Sequence, residues 1–267
     1  MSSTGPSGQG VGAPDTTGDN AVAVVMPAKN EQDRIGASVR AARALPGVDL
    51  VVVIDDGSTD GTGEAARAAG ARVVRHGRNR GKGAAMETGA GAVRLLDETQ
   101  GRENPRHLLF LDADLADTAA AAAPLIDPVR SGDADMTIAL FPRTRLKLGG
   151  HGFVQRLSRD GIRRATGWLP DQPLNGQRCL TRAAFEAALP LAYGFGVETA
   201  LTIDLLQKGF RVVEVEVPLE HRATGTDWRS QLHRARQFTD VGRALAVREM
   251  RPYVTGRVRR IRQRLGR

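Results

Sequence analysis

Several things are scarce in this chain, and each scarcity excludes something. There is one cysteine, Cys179, so no internal disulfide forms and a reducing compartment suits the protein. A zinc ribbon and a CxxC redox site are excluded on the same ground. The longest uninterrupted apolar run, Ala21–Val25 and its neighbours, falls far short of the about 20 residues that span a bilayer. The amino terminus has no basic stretch followed by an apolar one, so no secretory signal is predicted. The expected place is the cytoplasm, with the inner face of the membrane as a peripheral second. Aromatic residues are only 4% of the chain. A nucleic-acid-binding face interleaves aromatics with basic residues, and the basic stretch from Arg251 contains only Tyr253, so no nucleic-acid partner is expected.

What is present is ordinary globular material. The 267 residues are 41% hydrophobic and 25% charged, which excludes global disorder. A chain of this size buries about 70% of its unfolded surface. The formal charge of +8 points to an anionic partner. The charge is uneven: Arg251, Arg257, Arg259, Arg260, Arg262, Arg264 and Arg267 follow one another with no acid among them. Residues 251–267 therefore read as a basic helix, suited to an anionic membrane surface. Residues 1–20, rich in Gly, Ser, Thr, Pro and Asp, cannot repay their ordering entropy and read as a disordered tail.

From Ala21 the pattern changes. Ala21–Met26, Leu50–Asp55, Ala71–His76 and His107–Asp112 are short apolar runs rich in branched residues, and Asp133–Phe141 is a fifth. Helical stretches alternate with them at Ile35–Leu45, Gly61–Ala69 and Gly83–Leu96. Such alternation means βαβ units and a mostly parallel, Rossmann-like α/β sheet flanked by helices. The second half is mixed. Phe153–Thr166 and Thr181–Ala188 read as helices, as does the short run Ala119–Ala123. Val197–Lys208 reads as an amphipathic helix stopped by Gly209. Arg211–Glu220 alternates with period two, as a half-exposed strand does. Trp228–Glu249 reads as a final helix before the basic one.

In an open parallel sheet, ligands bind beyond the carboxyl ends of the strands, where strand order reverses. The residues just after each strand are therefore the informative ones. They are Pro27-Ala28-Lys29-Asn30-Glu31, Asp55-Asp56-Gly57-Ser58-Thr59-Asp60, Asn79-Arg80-Gly81-Lys82-Gly83 and Asp112-Ala113-Asp114. Four polar clusters thus converge on one sheet edge. Asp56 suits a uracil imide N–H or a ribose hydroxyl. Ser58 suits the N-cap of the next helix. Gly81 and Gly83 let backbone approach a ligand while Lys82 supplies a point charge. Two carboxylates at DxD spacing can divide their work, one on the ribose and one on a hard divalent cation that clamps a diphosphate. Other nucleotide motifs fail. Gly77 to Gly81 is one residue short of a Walker A, and no GxGxxG follows the first strand.

VVMPAKNE, VVVIDDGSTDGT, NRGKGAAM and LFLDADL, in this order over residues 21–115, resemble the GT-A fold glycosyltransferases of the family 2 type. QPLNGQ at Gln172–Gln177, YGFGVETALTIDLL at Tyr193–Leu206 and PLEHR at Pro218–Arg222 are similar to glucosyl-3-phosphoglycerate synthase-like retaining enzymes. The framework is shared, more loosely, with inverting polyprenyl-phosphate glycosyltransferases. The resemblance implies that Pro27, Ala28, Asn30 and Glu31 border the nucleotide, and that Asp56, Ser58 and Lys82 hold the base and nearby groups. It implies that Asp112, with Ala113 beside it, faces the ribose or donor sugar. Asp114 would bind Mg2+ or Mn2+, with His221 as a second protein ligand. Glu198 would face the reacting sugar or the acceptor, and Asp112 and Glu198 would be the catalytic pair. Asn175, Gly176 and Gln177 would line the acceptor side.

Read from its own residues alone, His221 is an ordinary surface histidine, and Glu198 is a carboxylate that offsets a helix dipole. Trp168 and Trp228 read as packing residues. One segment departs from the resemblance. Where phosphoglycerate synthases carry a GRxT-like grip on the acceptor phosphate, this chain has Gly152-Phe153-Val154-Gln155, with Arg143, Arg145, Lys147 and Arg156 nearby. The expectation is one glycosyltransferase domain over residues 21–250, divided at 115 into a nucleotide-sugar half and an acceptor half. It moves a sugar from a nucleoside-diphosphate sugar to a phosphorylated small molecule or a lipid phosphate, and a homodimer is compatible with it.

Overall fold

The computed structural model describes residues 20–141, 151–218 and 239–248. Outside these lie residues 1–19 of the expected tail, Arg143, Arg145, Lys147, His221, Trp228 and the basic segment from Arg251. Among the described residues seven strands form one sheet: β1 (Val22–Ala28), β2 (Val48–Asp55), β3 (Arg72–Arg75), β4 (His107–Phe110), β5 (Met136–Leu140), β6 (Arg178–Leu180) and β7 (Val212–Glu216). Their order is β3-β2-β1-β4-β6-β5-β7. Every pairing is parallel except the two made by β6, which runs antiparallel to β4 and β5. The helices are α1 (Gln32–Arg43), α2 (Thr62–Ala68), α3 (Lys82–Thr99), α4 (Asp127–Arg130), α5 (His151–Thr166), α6 (Arg182–Ala187) and α7 (Val197–Gln207). Residues 239–248 are helical as well.

The sheet is covered on both faces, and β1 shows how. Val22, Val24, Met26 and Ala28 join α1, α2 and the Ala116–Leu125 segment in one apolar cluster. Ala23 and Val25 join α3, α6 and α7 in the other. Period-two alternation sends successive side chains to opposite faces, and with both faces covered the strand reads as an unbroken apolar run. α1 supplies Ile35, Ser38, Val39 and Ala42 to its buried face, the spacing of one helical stripe.

The carboxyl edge opens between β1 and β4. Chain order runs outward from β1 through β2 to β3, then returns to β4 on the other side. Val25 accepts from Leu111 on the β4 side, and Ala28 accepts from Asp56 on the β2 side. The alternation puts the Pro27 nitrogen on the β4 side. Lacking an N–H, it ends that ladder, so the chain after Leu111 is released from β1 and the crevice begins there.

Four sequence readings need correction. Ala119–Ala123 lies in a 3-10 segment, Ala116–Leu125, with Pro124 inside it, rather than an α-helix. α7 is buried all round from Val197 to Leu205 rather than amphipathic, because the sheet and α5 enclose it together with the 239–248 helix. Ser58 caps no helix. Gly61 precedes α2, and Asp60 accepts from the Thr62 amide instead. β6 was not expected at all. Gly209, at φ +83°, ends α7 as expected. Trp168 packs between two apolar clusters. No described helix is long and apolar enough to cross a membrane.

Candidate functional site

The first two turns after strands are laced together. Asn30, at φ +55°, donates its amide to Ser58 Oγ at 3.0 Å and accepts from the Thr59 amide at 2.9 Å. The Glu31 amide donates to Thr62 Oγ1 at 2.8 Å. Asn30 and Ser58 therefore join the turns after β1 and β2 with the same side chains expected to touch a nucleotide.

Asp56 is more deeply engaged than expected. It is buried, and it accepts from the Arg80 amide at 2.8 Å and the Gly81 amide at 2.9 Å. His76 Nδ1 lies 2.7 Å from the same carboxylate, and its Nε2 lies 3.0 Å from Thr88 Oγ1. Asp56 thus ties the loop before Lys82 to the end of β2. Gly57, at φ +72°, lets this happen, since a Cβ there would lie 2.7 Å from the Arg78 backbone.

Lys82 begins α3 and joins the two halves of the chain. Its Nζ lies 2.9 Å from Asp112 Oδ1 and 2.9 Å from Glu198 Oε1. Burial alone would lower its pKa, but the carboxylates of Asp112 and Glu198 outweigh that and hold it above the ordinary lysine value. Gln177 Nε2 donates to the other oxygen of Asp112 at 2.7 Å. Gly176 lies against this pair: a Cβ there would collide with Lys82 Nζ and approach Asp112 Oδ1 to 3.1 Å. Residues read as donor-side and acceptor-side are therefore in one cluster. Asn175 is not part of it. Its amide donates to the Ala139 carbonyl at 2.7 Å and its carbonyl accepts from the Gln177 amide at 3.0 Å.

Asp112, Ala113, Asp114 and Leu115 alternate outward and inward. Ala113 and Leu115 are buried, and Asp114 is exposed at the edge. Glu31 stands near it. Burial raises the Glu31 pKa, Arg34 opposes this, and the negative charge of Asp114 adds to the rise. Among the described residues no group of three His, Cys, Asp or Glu side chains could hold a metal ion, and His221 is not among them.

Arg178 escaped the sequence reading. It is fully buried in β6. It donates to the carbonyls of Asn175 at 2.8 Å, Pro173 at 2.8 Å and Glu198 at 3.0 Å, and to Thr202 Oγ1 at 2.8 Å. Burial pulls its pKa down to about 10, with Glu198 and Glu214 acting against it. One guanidinium thus fastens the 173–175 turn to the start of α7, where Glu198 sits. Glu214 accepts from the Asp171 and Gln172 amides and secures the preceding residues.

The solved structures similar to this one include glucosyl-3-phosphoglycerate synthase from Mycobacterium tuberculosis with Mn2+, uridine diphosphate and phosphoglyceric acid. The TM-score is 0.68 at 25% identity, covering 87% of this chain and 80% of that one. The same enzyme with Mg2+ and uridine diphosphate gives 0.69 at 26% identity and the same coverage. The likeness bears out the expected GT-A fold. Among curated proteins, glycosyltransferase AglJ of Haloferax volcanii is 30% identical over 216 residues, 78% of this chain and 66% of that protein. Glucosyl-3-phosphoglycerate synthase of Mycolicibacterium smegmatis is 33% identical over 202 residues, 68% of this chain and 63% of that protein. The chain thus spans just under two thirds of the length of these curated relatives. The model of the family described as glycosyl transferase family 2 matches residues 23–185, a span that runs from β1 through the cluster of Lys82, Asp112 and Gln177 into α6. The chain belongs to that family.

Proposed function

We propose that the protein is a metal-dependent hexosyltransferase. It moves a sugar from a UDP-sugar to a small phosphorylated acceptor such as phosphoglycerate, with retention at the anomeric carbon. The observation that carries the reading is the Lys82 ammonium bonded to both Asp112 and Glu198 at the carboxyl edge of the sheet. Asp112 comes from the donor half (residues 21–115) and Glu198 from the acceptor half (116–250), so this is where donor and acceptor would meet. The preference for UDP and phosphoglycerate is supported by the ligands of the similar mycobacterial structures. Retention is what the resemblance of QPLNGQ and GVE to glucosyl-3-phosphoglycerate synthase-like retaining enzymes implies.

In this reading Asp112 and Glu198 accept hydrogen bonds from sugar hydroxyls. Lys82 offsets their charge, and Gln177 orients Asp112. The bond from the anomeric carbon to the diphosphate breaks and a bond to the acceptor oxygen forms on the same face. The departing diphosphate takes the acceptor's proton. Asp114 would hold Mg2+ or Mn2+. Its exposure suits a carboxylate ligand of a hard cation, and its repulsion of Glu31 is what a cation there would relieve. When bound, such an ion offsets charge on the leaving diphosphate. His221 is the second protein ligand of this reading.

A donor-hydrolysis screen of UDP- and GDP-sugars with Mn2+ or Mg2+, followed by acceptor trials, tests it. Metal-dependent turnover of a UDP-sugar that phosphoglycerate accelerates is the expected result, with an NMR assignment of the retained anomer. Failure of every such nucleotide to bind in calorimetry with either metal overturns it. Transfer to a polyprenyl phosphate with inversion would replace the acceptor and the stereochemistry.

A further inference from the structure

The turn that carries Asp114 is conformationally costly. Ala116 sits at φ +49°, a left-handed region that a residue with a Cβ enters only when its surroundings hold it there. Thr118 donates its amide and its hydroxyl to the Leu115 carbonyl, and one further hydroxyl bridges the turn. Ser38 lies inside α1 with no exposed surface. Its Oγ donates to the Ala113 carbonyl at 2.7 Å and accepts from the Ala116 amide at 2.8 Å. A hydroxyl has one hydrogen to give, so the Arg34 carbonyl at 3.3 Å is the lesser partner. Serine inside a helix commonly turns to the carbonyl four residues back. Here it is drawn to a loop 75 residues away. Its two strong partners lie on either side of Asp114, while Ala113 and Leu115 anchor the turn in the core.

We propose that Ser38 is the positioning residue for Asp114. It clamps the 113–116 turn in a conformation the turn would otherwise leave, and so presents the Asp114 carboxylate preorganised for a divalent cation. The inference rests on the reading of Asp114 as a cation ligand given above. Ser38 itself touches no substrate and no metal; it acts through the backbone that carries the ligand.

The test is Mn2+ binding to the full chain with UDP present, followed by calorimetry and by the loss of free-Mn2+ signal in electron paramagnetic resonance. Residues that orient a metal ligand typically change affinity about 10–100-fold, and Ser38→Ala is expected to weaken Mn2+ binding within that range. UDP binding without metal should stay at the wild-type value. Ala116→Gly removes the cost of positive φ, so Ser38→Ala/Ala116→Gly is expected to recover most of the lost affinity. A residue that merely fills the core would show no such rescue. Ser38→Cys keeps the volume and weakens both hydrogen bonds, and it replaces the alanine variant if that fails to fold. Wild-type Mn2+ affinity in the folded Ser38 variant overturns the inference while leaving Asp114 as ligand, as does weakened binding that Ala116→Gly does not restore. Wild-type affinity in Asp114→Ala overturns the reading of the ligand, and the role of Ser38 falls with it.

Discussion

Lys82 is the residue on which the site turns, since Asp112, Glu198 and the bare backbone of Gly176 all meet its ammonium. Lys82→Met leaves two carboxylates facing each other without a counter-charge, so donor turnover should fall at least ~100-fold, of the order seen when a preorganised electrostatic group is removed. Lys82→Arg should not restore it, because the larger head meets Gly176. Steady-state donor hydrolysis, with thermal melting as the folding control, checks both. The raised pKa of Lys82 has a definite sign. Its contribution to stability is fully present below the ordinary lysine value of about 10.4 and is lost as pH rises through the raised folded value. The rate profile should therefore show no basic limb from Lys82 below that value. Glu31 moves stability in the same direction, but at far lower pH and because its charged form is the one disfavoured. Its raised carboxyl favours the fold only while protonated, so stability falls as pH rises from about 4.3 through the folded value. Glu31→Gln should melt higher than wild type at neutral pH, the difference vanishing in acid, as thermal melts across pH will show. The sequence pointed to Lys82 and Asp112 by their place at a helix start beside glycine and at a strand end near a second acid, and to Glu198 only through the resemblance to the family. It hid Ser38, His76 and Arg178, whose work depends on neighbours 20 to 78 residues away. An arginine in QRCL reads as surface charge until the fold encloses it.

At the scale of elements, the sheet has two unlike edges. The candidate site residues Lys82, Asp112 and Asp114 stand at the carboxyl ends, and an ion network stands at the amino ends. Arg106, just before β4, bonds Asp49 of β2 through Nε and Nη2 and Asp97 of α3 through Nη1. Arg182 of α6 reaches the second oxygen of Asp97 at 3.0 Å. Asp97, Arg106 and Arg182 are buried, and removing Asp97 leaves Arg182 without its carboxylate partner and Arg106 with Asp49 as its one remaining carboxylate. Asp97→Ala should cost about 3–5 kcal/mol, measured by urea unfolding, with donor turnover per folded molecule unchanged. β1, β2 and β4 were readable because each is an apolar run with polar residues at its carboxyl end, and β7 because it alternates with period two. β6 was not readable: three residues are too few for a period, and it runs against its neighbours. α7 misled for a related reason. Its Glu198, Thr199, Thr202 and Asp204 suggested a wet face, but all four are buried. Thr202 bonds Arg178, Thr199 bonds Ser158 at 2.6 Å, Asp204 bonds Arg248 and Glu198 bonds Lys82. Polar letters marked partners there, not solvent.

At the scale of the molecule, the 239–248 helix is the last described element to join the core. Val241 and Leu245 pack with Val154 and Ile162 of α5 and Ile203 of α7. Gly161 has no side chain where Leu245 lies, and Gly194 and Gly196 have none where Asp240 lies. Arg248 pairs with both oxygens of Asp204. Deleting the chain from Arg251 should therefore leave the melting temperature and donor turnover unchanged, whereas deletion from Thr239 should expose Ile203 and lower the melting temperature sharply. Circular dichroism melts of the two truncations separate the cases. If the basic segment binds anionic lipid, the first truncation alone should abolish liposome pelleting at low salt, where screening is weak. The late position of this covering helix also matters before the protein is finished. A ribosome delivers α7 first and its last wall only after the residues between Gln207 and Thr239 have been added, an interval of a few seconds at ordinary elongation rates. For that time the nascent chain carries an uncovered apolar flank, which makes it a client for chaperones and a hazard at crowded polysomes. A product stopped in that window lacks Val241 and Leu245 and should bind an apolar dye that the full chain does not.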